Sequence, residues 1–321
     1  MSVLVLGGTG FIGGPLVARL LADGVETAVA HRGARAVAAG AASVVLDRRE
    51  PAAVLAAARA LGTTTVIALL AYTAADPLAL LDALAGQVER YVLASSVDVY
   101  ANYEGLHRKG RPHPVWDRLT EDAALRASRF PYRLARPRPA NDPQAWMDDY
   151  DKIPLEAAAR SRLGLEATIL RLPMVFGPGD RQRRFSWAIR PMVLGRARFN
   201  ITHPWAAWRA TFGYVDDVAA AIALAAVHPR AGGETFNLGR ANTPTNLAWA
   251  ATFAAHLNWP GNVDLVHPDV ARGALAAAVA GLDLSYPLFI DNAKIRRRLG
   301  YAEVTDFDEA LARTVADEMG R

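Results

Sequence analysis

The first stretch with chemical content is VLVLGGTGFIGG, in which Gly7, Gly10 and Gly13 follow a short apolar run. Glycines at this spacing allow a tight turn, close approach of backbone to a pyrophosphate, and close packing of a helix on the strand before it. The helix expected to open there, from near Phe11 to Ala22, adds free amides and the positive end of its dipole. A dinucleotide suits this arrangement, with Thr9, Phe11 and Ile12 in the same loop. Its ribose is read where AVAHRG ends the second apolar run. An acid about 20 positions beyond the glycines grips the 2′-hydroxyl of NAD(H), whereas an arginine there accommodates the 2′-phosphate of NADP(H). His31 and Arg32 stand at that point without an acid, so NADP(H) is favoured, NAD(H) is the alternative, and a merely solvated Arg32 is the plain reading. Asp47, ending VVLDRR, could accept from the adenine amino group or cap the next turn, and Arg48 could help with the phosphate.

Such a loop works only if a sheet holds it. The first half of the chain alternates short Val- and Leu-rich runs with alanine-rich segments long enough for crossover helices, the pattern of parallel strands buried on both faces. This predicts an α/β fold, a Rossmann-type doubly wound parallel sheet with its ligand at the carboxyl ends of the strands. Two later strand candidates are EATILRLPMVFG and ETFNLG, with VDDVAAAIALAAV helical between them. From Gly177 to Ala210, and again after Gly239, the strand rhythm fades. The expected division is a dinucleotide-binding domain of residues 1–172 plus 211–240 and an interleaved smaller substrate-binding region of residues 173–210 plus 241–321. The 321 residues include no cysteine, which excludes disulfides, thiol nucleophiles and cysteine-ligated metal; no metal is expected. The amino-terminal run lacks a basic start and is soon broken by glycines, so neither a signal peptide nor a membrane anchor is expected, and a cytoplasmic location is the default. The net charge of +4 fits a phosphate-bearing small ligand as well as nucleic acid.

GGTGFIG, LASSVDVY, Tyr150, RLPMVFGPGD, GYVDDVAAAI and IDNAKIRRRLGY follow one another in an order that resembles the extended branch of the short-chain dehydrogenase/reductase superfamily, the branch of NAD(P)-dependent epimerases, dehydratases and reductases. The resemblance covers nearly the whole chain. It implies that Ser96 hydrogen-bonds the reacting oxygen, that Tyr150 transfers the proton, and that Leu70 and Pro173 touch the cofactor. It also implies a lysine four residues after the tyrosine, where this chain has Pro154. Proline is tolerated only in the first turn of a helix, so the helix here is expected to start near Asp151 or Lys152, freeing Lys152 to point toward Tyr150. A tyrosine without a neighbouring cation is a poor base at neutral pH but can still donate a proton, which favours reduction. Asp98 stands where family dehydratases carry an acid, as a base for epimerisation or elimination or as a solvated turn residue. A vestigial Tyr150 on a non-redox nucleotide-binding protein is the alternative.

Fifty-three residues separate Ser96 from Tyr150, and the excess over the family pattern, within residues 101–147, is basic and proline-rich. A lid or contact surface is expected there. Tyr72, Arg181 with its neighbours Arg183 and Arg184, and Trp208 are the substrate candidates, against a solvated basic turn and an aromatic pair, Trp205 and Trp208, that is only core. The resemblance puts Ala210 where nucleotide-sugar enzymes often have a phosphate-binding arginine, with Arg209 one place early, which speaks against a nucleotide-sugar, and the nearby Trp205 and Trp208 favour a flatter or more apolar substrate. Nucleic acid is the weaker partner, since the insert offers few aromatics, and a homodimer is implied by the resemblance alone.

Overall fold

The computed structural model describes residues 1–70 and 75–320. In chain order the first half comprises β1 (Ser2–Leu6), α1 (Gly13–Ala22), β2 (Glu26–His31), β3 (Ala42–Val45), α2 (Pro51–Ala60), β4 (Thr65–Ala68), α3 (Ala75–Leu84), β5 (Arg90–Ser96), α4 (Ala101–Leu106) and α5 (Lys152–Arg160). There follow β6 (Glu166–Leu172), β7 (Met174–Phe176), α6 (Ser186–Val193), β8 (Arg198–Thr202), α7 (His203–Ala207), β9 (Phe212–Tyr214) and α8 (Val215–Val227). The chain closes with β10 (Thr235–Asn237), α9 (Asn246–His256), β11 (Asn262–Val266), α10 (Ala274–Val279), α11 (Ala293–Leu299) and α12 (Phe307–Met319).

Seven strands form one parallel sheet in the order β10-β6-β5-β4-β1-β2-β3. Alternate residues of each central strand serve opposite layers, which is why the runs are apolar without interruption. Val3 and Val5 pack with Leu16, Val17 and Leu20 of α1 and Val218 and Ile222 of α8. Leu4 and Leu6 face the other way, toward Val54 of α2, Leu81 of α3 and Leu155 of α5. The doubly wound sheet read from the sequence is therefore present. Strand order reverses at β1, with β2 on one side and β4 on the other, and this switch opens the crevice in which such sheets bind ligands.

The structure differs from the expectation in three ways. EATILRLPMVFG is two strands, because Pro173 separates β6 from β7, and β7 pairs in parallel with β9 rather than extending the main sheet. The regions without strand rhythm contain β8 and β11, which pair in parallel from Arg198↔Asn262 to Thr202↔Val266. Both are partly solvent-facing, so no apolar run marks them. An aromatic core of Phe176, Phe185, Phe212, Trp249 and Phe253 joins this part to the sheet. Residues 101–147, read as a loop, begin with α4 and are tied down throughout, as by Asn102 Nδ2 donating to the carbonyls of Val115 and Pro287, both at 2.8 Å. No helix among the described residues is long and apolar enough to cross a membrane.

Candidate active site and dinucleotide cradle

β1 leads into Gly7 at φ +100°, a conformation that side-chain-bearing residues rarely adopt. The turn closes by a hydrogen bond from Gly10 N to Gly7 O of 3.1 Å. A Cβ on Gly13 would lie 2.1 Å from Gly7 O, and one on Gly7 would meet Leu70 at 2.7 Å, so the loop is compact and packs on the chain leaving β4. The helix starts at Gly13, two residues later than expected, since Phe11 and Ile12 belong to the turn. No side chain caps α1; Gly14 N donates to Gly10 O at 2.9 Å, Leu16 N donates to Ile12 O at 3.1 Å and Pro15 has no N–H, so the helix offers an anion chiefly its positive dipole end. The cradle fits a pyrophosphate.

Around it, Arg35 Nη1 donates to Thr9 O at 3.1 Å, and Arg48 Nε donates to Leu70 O at 3.2 Å. Phe11 lies beside the Gly177–Gly179 turn, and Pro173 is buried against Gly213 and Gly239. Arg32 is exposed just past the end of β2. His31 is held by Ser43 Oγ at 2.7 Å and by Gly33 N, which donates to its Nδ1 at 3.0 Å, so its ring shapes the turn. Asp47 is engaged by the side chain and backbone N–H of Arg49, which hold its carboxyl well below the usual carboxylate range. That is the local turn role of the two read for Asp47.

Across the crevice, β5 ends at Ser96, and its Oγ accepts from Asp98 N at 3.2 Å, starting a 3₁₀ turn that buries Asp98 to 1 % exposure. Tyr150 lies just before α5, whose N-cap is Asp151 and whose third residue is Pro154. Pro154 thus falls in the first turn, where its missing N–H breaks no intrahelical bond. This start makes Lys152 the first helical residue. Its Nζ donates to Ala94 O at 2.7 Å and lies 5.6 Å from the centre of the Tyr150 ring. The Tyr150 phenol donates to Asp98 Oδ2 at 2.9 Å and shares a hydrogen bond with the Ser96 hydroxyl. The half-buried Ser96 and the buried Asp98, Tyr150 and Lys152 therefore form one cluster.

Its electrostatics follow from that burial. Burial, the neighbouring Asp98 charge and the bond to Asp98 push the Tyr150 phenol well above 10, against a smaller lowering by Ser96. Burial also raises Asp98, offset by hydrogen bonds from Tyr150 and Tyr132 and by the charge of Arg126. Lys152 is lowered by burial to about 8, with Asp98 and Glu156 opposing the shift.

The insert supplies residues that sequence reasoning missed. The Tyr132 phenol donates to the same Asp98 Oδ2 at 3.0 Å, and its ring meets that of Tyr150 edge-on at 5.0 Å. Among the described residues Asp98 Oδ1 is buried without a hydrogen-bond partner. Arg126, itself buried, donates from Nε to Asp98 O at 2.9 Å and from Nη2 to Asp151, whose other oxygen is bonded by Arg129. Burial alone would raise Asp151, but those two arginines outweigh it and hold its carboxyl low. Only the length and Arg/Tyr content of the insert hinted at this, because nothing in its spacing tells which of its residues turn inward.

Of the substrate candidates, Tyr72 lies outside the described residues. Arg181 is exposed, while Arg183 pairs with Glu318 and Arg184 with Asp180, so those two are structural. Trp208 is buried, stacked on Trp205 with ring centres 5.4 Å apart, and donates from Nε1 to Tyr286 O at 3.0 Å. It also lines a cavity of about 690 Å³ that Arg181 does not touch.

Solved structures of the same fold include the UDP-glucose 4-epimerase of Thermotoga maritima with UDP-glucose (19% identity, TM-score 0.68), covering 100% of this chain and 99% of that one. The Thermus thermophilus UDP-glucose 4-epimerase complex with NAD gives 23% identity and a TM-score of 0.65 over 100% and 99% of the two chains. The dTDP-glucose 4,6-dehydratase of Streptomyces venezuelae, with NAD and TYD bound, gives 22% and 0.67 over 100% and 98%. No curated protein matches the chain. The family model for the NAD dependent epimerase/dehydratase family matches residues 3–239, and with a glycine cradle facing a Ser–Tyr–Asp–Lys cluster across the switch point, the chain belongs to that family.

Proposed function

We propose that the protein is an NADP(H)-dependent reductase of a small carbonyl compound, with Ser96 and Tyr150 acting on the carbonyl oxygen. The observation that carries this reading is the state of Tyr150, a buried phenol hydrogen-bonded to Asp98 and kept far from ionisation. Such a group is a proton donor and a poor base. A bound nicotinamide supplies the hydride. Ser96 and Tyr150 hold the oxygen on which negative charge develops, and Tyr150 releases its proton to that oxygen as the carbonyl becomes an alcohol. Lys152, cationic below about pH 8, lies against the Tyr150 ring and offsets the charge left on the phenolate.

The relatives crystallised with NAD support a dinucleotide in the cradle. The choice of NADP(H) rests on His31, Arg32 and Arg35 around the end of β2, where no acid stands. Pairing of Arg126, Arg129, Arg133 and Arg138 with Asp151, Asp149 and Asp148 argues against the insert as a nucleic-acid surface. One observation favours a second reading: the unpartnered Oδ1 of Asp98 is a carboxylate oxygen able to take a proton, as epimerisation or elimination requires. NADPH oxidation with a panel of aldehydes and ketones tests the choice. Carbonyl-dependent oxidation that Tyr150→Phe abolishes supports the reductase; deuterium uptake from solvent by substrate without net NADPH oxidation contradicts it.

A further inference from the structure

A cavity of about 690 Å³ lies between the insert, the segment around α7 and the carboxyl-terminal third, a volume suited to a small organic ligand. Its aromatic walls are Trp116, Trp208 and Phe289, and Val279, Leu282 and Leu284 contribute aliphatic surface. Three charged side chains reach it: Arg108, Arg209 and Asp283. Arg209 is already engaged, donating from Nε and Nη2 to Thr243 O at 3.1 and 2.8 Å while its guanidinium lies 4.2 Å from the centre of the Phe289 ring. Arg108 donates to Leu282 O at 3.2 Å, and Asp283, beside it on the wall, brings an opposing charge. The formal charge of the wall is therefore +1, from two arginines and one aspartate. A nucleoside diphosphate would bring at least two negative charges against a largely apolar wall whose formal charge is only +1, a poorer match than an uncharged or singly charged ligand.

Helix α4 links the cavity wall to the acid–phenol cluster, although none of Ser96, Asp98, Tyr150 and Lys152 lines the cavity itself. Tyr103 of α4 meets the ring of Tyr132 at 6.0 Å on the cluster side and that of His107 at 4.3 Å, next to Arg108 on the cavity wall. Leu106 O at the end of α4 accepts from Asp283 N at 2.8 Å. Trp116, 64 % exposed, is the aromatic wall that solvent reaches, as a residue at the mouth would be.

We propose that this cavity holds the non-reacting part of the substrate, and that the substrate is an uncharged or singly charged planar aromatic or polycyclic carbonyl compound rather than a nucleotide-sugar. The proposal rests on the reductase reading for the word carbonyl and on the cavity wall for the rest.

The test is calorimetric titration of the NADP-loaded protein with 2-acetonaphthone, UDP and UDP-glucose. The aryl ketone binds, Trp116→Ala weakens it about five- to tenfold through loss of one aromatic contact, Val279→Arg abolishes it, and the two uridine ligands give no heat. Binding of UDP or UDP-glucose without the ketone, binding of none of the three, or ketone binding that both variants leave unchanged overturns the proposal. Melting curves check that the variants are folded; should Val279→Arg fail, the exposed Trp116 still decides. The two readings fail separately: a ketone that binds in the cavity but is never reduced removes the reductase, whereas turnover of small carbonyls indifferent to both substitutions removes the cavity.

Discussion

Tyr150 carries its proton because Asp98 lies 2.9 Å away in a dry site, and Lys152 completes the group from the first turn of α5 rather than from the position four residues on. Tyr150→Phe is expected to lower kcat for NADPH-dependent reduction by about 10²- to 10⁴-fold, the usual worth of a positioned acid, while NADPH affinity measured by fluorescence titration changes little. Lys152 is expected to make the rate depend on pH. Its pKa in the fold is lowered to about 8, so its charge is present below that pH and lost as pH rises through it. The rate is therefore expected to fall on the alkaline side near pH 8, and Lys152→Met removes that limb from the profile; a limb unchanged in the variant would assign it to another group. Tyr132→Phe takes one of two donors from Asp98 Oδ2, and a reduction of kcat with unaltered NADPH affinity is expected, measured by the same two assays.

At the scale of elements, the site depends on where α5 begins. Asp151 caps it and is clamped by Arg126 and Arg129 from the insert, so a segment that reads as a basic loop fixes the helix start. Arg126→Ala leaves the buried Asp151 carboxylate with one of its two arginines and is expected to cost on the order of 3 kcal/mol, read as a lower midpoint in urea unfolding. Pro154→Ala, in the first turn, is expected to move that midpoint little, and a large loss would mean that the proline does more than fit the helix start. The helix start was legible because proline excludes a longer helix. The clamp was not legible, because a buried arginine and a solvated one look alike in a sequence of Arg, Pro and Ser. Likewise the GxxGxxG spacing announced the cradle, whereas β8 and β11 are short and half-solvated and left no periodicity to find.

At the scale of the molecule, the alternation of apolar runs with alanine-rich helices declared the parallel sheet, since strands covered on both faces have no polar alternate to hide them. The cavity was foreshadowed by Trp208 alone, because its walls come from the insert, α7, α10 and the chain before α11, segments brought together only by tertiary packing. The claim on which the whole account depends is that the cradle and the arginines around β2 serve NADP(H). Direct titration of the protein with NADPH and NADH, repeated on Arg32→Ala, tests it. The account predicts that NADPH binds at least about tenfold more tightly, a difference of about 1.4 kcal/mol, and that Arg32→Ala weakens NADPH while leaving NADH unchanged. Equal affinities, tighter NADH, or no binding of either would contradict it.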